Sequence, residues 1–190
     1  MENIQISKPD QEYNPYKEEL AGQSRDISHQ AVWTLSSCKS GFGVENLIDN
    51  SLDTFWQSDG PQPHLVNMQF KQKTKVKDIC IYADYKSDES YTPSRIIIKA
   101  GTHVNDLREI GTYDLLEPAG WIIIPLKDPK DVKNLPIKTW MLQLAVLANH
   151  QNGRDTHIRQ IKIHSPIETT SVILHPKFSA VEIGEWSSIR

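Results

Sequence analysis

An all-β jelly-roll sandwich is the fold class the sequence predicts, and three observations predict it. Short runs rich in Ile, Val and aromatic residues recur at residues 76–82, 95–100, 121–126, 140–147 and 158–164, separated by Gly, Pro, Asn and Asp turns. Residues 65–70 alternate, with Val66, Met68 and Phe70 on one face and Leu65, Asn67 and Gln69 on the other, the period of a strand with one face on a core. Sustained heptads, solenoid-length repeats and low-complexity tracts are absent, which leaves regular short strands as the organising pattern.

The remaining elements follow in chain order. Residues 1–23 are polar and aperiodic and read as a variable, solvated arm in which residues 15–21 suit a short helical turn. Residues 31–35 have β character, and Gly41 to Gly43 lead into a short helix on which Val44, Leu47 and Ile48 share a face. The folded unit is expected over residues 24–166, followed by a divergent extension over 167–188 and an Ile189-Arg190 tail, with flexible termini.

Composition narrows the function. The chain has 190 residues, enough for one core, and a net charge of -3 from 21 basic and 24 acidic residues mixed along it. That balance exerts no overall pull toward nucleic acid or an anionic membrane, so a protein or small-ligand partner is expected. No stretch approaches the length of a membrane span and the first residues carry no apolar signal region, so an intracellular setting is expected. Cys38 and Cys80 each lie in an apolar, strand-like context and are expected as free, buried thiols.

Motifs of catalysis are missing. Phosphate-binding loops, a nucleophile elbow, HExxH and paired CxxC are all absent, and neither cofactor nor metal is expected. Two polar loops stand out instead. One spans residues 84–93, with Tyr85 and Tyr91 flanking Asp88 and Ser90. The other spans 149–157 and holds His150, Gln151, Asn152, Arg154, Asp155 and His157. Each suits a solvated turn that satisfies its own backbone. Loops at one end of a sandwich lie together, however, and Tyr with Ser, Asn and Asp is a composition suited to binding protein surfaces. A hydrolase would have to use Asp155 and His157 as its acid-base pair, without an activated nucleophile beside them. A carbohydrate-binding module of the same architecture is the other alternative.

Asp49, Thr54, Trp56 and Ser58 resemble the D-x-x-x-x-T-x-W-x-S signature of discoidin-like, galactose-binding-type jelly rolls, with Trp56 as a packing residue. The strings at residues 31–43, 55–67, 81–94 and 145–157 more closely resemble the Doc-domain subunit of the anaphase-promoting complex, a ubiquitin ligase. The resemblance implies a non-catalytic module of nucleus and cytoplasm that binds destruction-box degrons jointly with a WD-repeat coactivator and promotes processive ubiquitination. It places the degron-binding surface on Ser90, Asn152, Asp155 and His157, with Asp88, Gln151 and Arg154 as neighbours. It also implies that Ile189 and Arg190 dock on a tetratricopeptide-repeat scaffold subunit.

Overall fold

The computed structural model describes residues 13–127 and 135–167, together with the backbone of residues 4–6. The elements are β1 (Ile4–Ile6), α1 (Pro15–Leu20), β2 (Ser24–Asp26), β3 (Ala31–Leu35), α2 (Glu45–Ile48), β4 (Trp56–Gln57), β5 (His64–Val76), β6 (Asp78–Asp84), α3 (Tyr85–Asp88), β7 (Pro93–Gly101), β8 (Arg108–Leu115), β9 (Ala119–Pro125), β10 (Ile137–Asn149), β11 (His157–Ile158) and β12 (Gln160–Pro166). A six-stranded sheet in the order β1-β8-β7-β10-β5-β3 faces a four-stranded sheet in the order β2-β12-β6-β9, and β4 pairs with β11 at one end. All neighbours are antiparallel except β1 with β8.

The alternation in β5 sets the register. Val66 lies opposite Leu144 and Met68 opposite Leu142 on β10, so each strand sends its branched or flexible apolar residues to the same side. These side chains meet Ile79 and Ile81 from β6, Ile122 and Ile124 from β9, and Ile161 and Ile163 from β12 in one core. Burying an isoleucine contributes about 1.5–3 kcal/mol, so this interlayer is the main source of stability.

Several expectations are corrected. Two runs expected as single strands are each divided by one residue: Lys77 separates β5 from β6, and Arg159 separates β11 from β12. At both breaks the backbone N–H still bonds, Lys77 to His164 O at 2.8 Å and Arg159 to Tyr82 O at 3.1 Å, so the chain turns without leaving a buried donor unsatisfied. Strand β8 was not expected, because its pairing with β7 shifts between Ile98 and Lys99 and breaks the period of two. Cys38 is exposed in a loop, whereas Cys80 is buried as expected.

The stretch expected as a solvated arm is docked at β1, which pairs with β8, and again from Tyr13 onward. Asn14 caps α1 by accepting the Tyr16 N–H, and Pro15 opens the helix. Gly22, at φ +67°, reverses the chain so that the N–H groups of Gly22 and Gln23 close on Glu19 O and Glu18 O. The helix lies on the outer face of the four-stranded sheet: the Tyr16 ring meets Trp121 edge-on, Lys162 Nζ lies 4.0 Å from the Tyr16 ring centre, and Lys77 binds Glu18 at 3.1 Å.

Candidate functional site

The first polar loop is a capped helical knot. Asp84 is extended and accepts from the Lys86 N–H at 3.0 Å and the Ser87 hydroxyl at 2.7 Å, which starts α3. A 3-10 turn, Glu89–Tyr91, then carries the chain to β7. The knot turns Asp88 inward and leaves it 6% exposed, while Ser90 remains half-buried at the rim.

The second loop is held by its own backbone, as its residue types predict. Asn149 Nδ2 donates to Gly153 O at 3.2 Å and Asp155 O at 2.8 Å, and the left-handed backbone of Gln151 and Asn152 turns their side chains outward into exposed positions. Arg154 is exposed too, and its carbonyl accepts from His64 Nε2 at 2.8 Å.

The two loops meet. His150 N–H donates to Thr92 O at 2.9 Å, the Thr156 hydroxyl to Tyr91 O at 3.3 Å, and Gln151 Nε2 to the Tyr85 hydroxyl at 3.0 Å. Gly153 lies so close to Ser90 that a methyl group at position 153 would overlap the Ser90 carbonyl. Ser90, Asn152 and Asp155 therefore belong to one rim.

His157 and Asp88 form the floor beneath that rim. The His157 ring is stacked between Tyr91 and Phe55, each with its centre 4.2 Å away, and Phe42 continues the stack behind Phe55 at 5.1 Å. Nδ1–H of His157 donates to Asp88 at 3.2 Å, and the guanidinium of Arg159 grips both Asp88 oxygens at 2.9 Å while donating to Leu52 O at 2.8 Å. Burial pushes the Asp88 carboxyl up, but the bonds from His157 and Arg159 outweigh it and hold it below its ordinary value. Only 11% of the His157 side chain is exposed, and its Nε2 is buried with no hydrogen-bond partner among the described residues. The hydrolase pairing fails here, since His157 pairs with Asp88 and Asp155 presents its carbonyl to Asn149.

The discoidin-type signature is a brace for this floor. Asp49 accepts from the Thr54 hydroxyl at 2.6 Å and Gln160 Nε2 at 2.6 Å, fully buried Trp56 donates to Ser37 O at 3.0 Å, and the Ser58 hydroxyl accepts from Thr156 N–H at 2.8 Å. Residue types alone did not reveal Arg159, the Phe42–Phe55 stack, or the role of Tyr91 as its outer plate. The signal for Arg159 was its place two residues after His157, on the same face of an extended chain.

The family described as "Anaphase-promoting complex, subunit 10 (APC10)" matches residues 5–187. The chain belongs to this family. The subunit 10 of Homo sapiens is 55% identical over 177 residues, covering 93% of this chain and 94% of that one. That of Drosophila melanogaster is 55% identical over 184 residues, covering 96% and 93%. The DOC1 subunit of Saccharomyces cerevisiae is 34% identical over 141 residues, covering 74% of this chain and 56% of the yeast protein. Among solved structures, a family 32 carbohydrate-binding module of Clostridium perfringens in complex with galactose superposes with a TM-score of 0.62 at 12% identity, covering 75% of this chain and 99% of the module. At that identity the likeness is one of fold, a jelly-roll β-sandwich.

Proposed function

We propose that this APC10 family subunit is the non-catalytic substrate co-receptor of its ubiquitin ligase, binding one half of a destruction-box degron while a WD-repeat coactivator binds the other. The observation that supports this best is the joint rim of Ser90, Asn152 and Asp155 on two loops that lock into each other. An extended degron carries unpaired N–H and C=O groups, and a hydroxyl, an amide and a carboxylate on a rigid rim are suited to satisfy them. Each such bond contributes about 0.5–1.5 kcal/mol, so the rim alone binds weakly. Shared with the coactivator, the second contact becomes intramolecular and binding strengthens by roughly 10²- to 10⁴-fold, which lengthens residence and adds more ubiquitin per encounter.

The test is reconstituted ubiquitination of a destruction-box substrate with a Ser90→Ala, Asn152→Ala, Asp155→Ala variant. His157 is left in place, because its loss would open the stack and confuse folding with recognition. At about 1 kcal/mol per bond, the variant is expected to weaken degron retention by at least about tenfold and to shorten ubiquitin chains, with incorporation into the ligase intact. Unchanged chain length would mean that degrons are held elsewhere.

Attachment to the ligase is assigned in this reading to Ile189 and Arg190, docked on a tetratricopeptide-repeat scaffold, and the protein to nucleus and cytoplasm. Both residues lie outside the described ones. Isoleucine fits an apolar pocket, and the guanidinium seeks complementary charge. Deleting the two is expected to weaken co-purification with the scaffold and leave the unfolding midpoint of the isolated subunit unchanged; undiminished co-purification would remove the tail from the interface.

A further inference from the structure

The outer face of the four-stranded sheet carries a cluster that the loop site does not use. Asp78 and Cys80 stand two residues apart on β6, so their side chains emerge on one face, and His164 of β12 lies opposite Asp78 in the register. The three are 3%, 0% and 0% exposed. Asp78 Oδ1 lies 2.7 Å from His164 Nδ1 and 3.5 Å from Cys80 Sγ, and the sulfur lies 3.7 Å from Nδ1.

Carboxylate oxygen, sulfur and imidazole nitrogen make a zinc donor set, with metal bonds of about 2.0–2.3 Å. Tetrahedral donors at those lengths stand roughly 3.3–3.7 Å from one another. The two spacings that involve sulfur already match, and the remaining one must open by about half an ångström.

Two further observations point to a cation. Metal-ligating imidazoles commonly hold their other ring N–H on a carboxylate, and His164 Nε2 lies 3.2 Å from Glu19 Oε1 on α1. In the metal-free protein both ring nitrogens face carboxylates, Nδ1–H donating to Asp78 at 2.7 Å and Nε2–H to Glu19 at 3.2 Å, so a metal would take the place of the Nδ1 proton while Nε2–H stays on Glu19. The Tyr13 hydroxyl is buried and faces the Cys80 thiol and the Glu18 carboxylate, so a polar oxygen already stands beside the sulfur.

We propose that Asp78, Cys80 and His164 bind one zinc ion, with Glu19 as the positioning carboxylate of His164 and the Tyr13 hydroxyl beside the fourth coordination position. Binding forms metal bonds to Oδ1, Sγ and Nδ1 and releases the Cys80 thiol proton, with any proton on Nδ1, to solvent. Lys77 Nζ, 3.7 Å from the other Asp78 oxygen, leaves Oδ1 as the oxygen for the metal. Because Glu19 and Tyr13 belong to the amino-terminal segment, the ion fastens that segment to the sheet.

The full-length protein, stripped with chelator, is titrated with cobalt(II) alone as the spectroscopic probe. One cobalt per chain is expected, with a thiolate-to-cobalt charge-transfer band and strong tetrahedral d–d absorption that zinc displaces. The signal is expected in wild type and in Cys38→Ser, and to vanish in Cys80→Ser. Zinc at about 100 times its dissociation constant is expected to raise the unfolding midpoint of wild type by roughly 5–10 °C. No thiolate band in wild type, or one that follows Cys38 instead, overturns the proposal. The chain has two cysteines, so the pair of wild type and Cys38→Ser decides the matter even if Cys80→Ser fails to fold.

Discussion

Arg159→Leu is expected to cost about 3–5 kcal/mol, the usual effect of removing one partner from a buried ion pair and leaving the other uncompensated. Asp88 is 5% exposed at its side chain and Arg159 14%, and two guanidinium bonds of 2.9 Å join them, so water cannot take over the lost contacts without opening the loops. The same substitution frees Leu52 O, which ties the 49–58 segment to the site. For a domain of this size the loss corresponds to a fall of roughly 6–20 °C in the unfolding midpoint. Arg159→Lys keeps the charge but not the planar fork and is expected to fall between the two.

The pH dependence follows from the same carboxylate. Its folded-state pKa is depressed, so its contribution is fully present above the unfolded value of about 4 and is lost as pH falls through the lower, folded value. In Arg159→Leu that depression shrinks. Urea midpoints of wild type and variant should therefore lie far apart at neutral pH and converge below about pH 4. A constant gap across this range, or a neutral-pH loss under about 1 kcal/mol, would show that the fork does not carry the floor of the site.

The sandwich was legible because its signals are local. The alternation of Val66, Met68 and Phe70 appears within one strand, and the isoleucine runs of β6, β9 and β12 mark the facing layer. The site was only partly legible, for a physical reason. Residue types marked two polar loops, and those loops do meet, but nothing in their composition separates a side chain that faces solvent from one that faces a buried cation. Asp88 sits in a run of charged residues and reads as solvated; its orientation depends on Arg159, 71 residues away. His157 likewise reads as a polar surface residue until Phe55 and Tyr91 are placed on its two faces. Cys38 was misplaced because the neighbouring strand ends at Leu35, and an apolar flank does not mark where pairing stops.

Gly153→Ala sets two principles against each other, and the sign of its effect decides between them. At φ -58° and ψ 137° position 153 has a backbone that any L-residue adopts, so relief of unfolded-chain entropy alone would make alanine stabilising by about 0.4–1 kcal/mol. Against this stands the Ser90 carbonyl in the space a methyl group needs, with the His150 carbonyl 3.3 Å from it on another side. Both obstacles are backbone, and Ser90 is part of a 3-10 turn that cannot swing away as a side chain would. Overpacking of this kind typically costs about 1–3 kcal/mol, so a net loss is expected, with the two loops pushed apart. Asn152→Gly is the matching control: at φ +56° glycine keeps the turn without strain while deleting the rim amide. Gly153→Ala should lower both the urea midpoint and ubiquitin chain length, whereas Asn152→Gly should shorten chains with the midpoint nearly unchanged. A stabilised Gly153→Ala would mean that the loops part at little cost and that their union is not what shapes the rim.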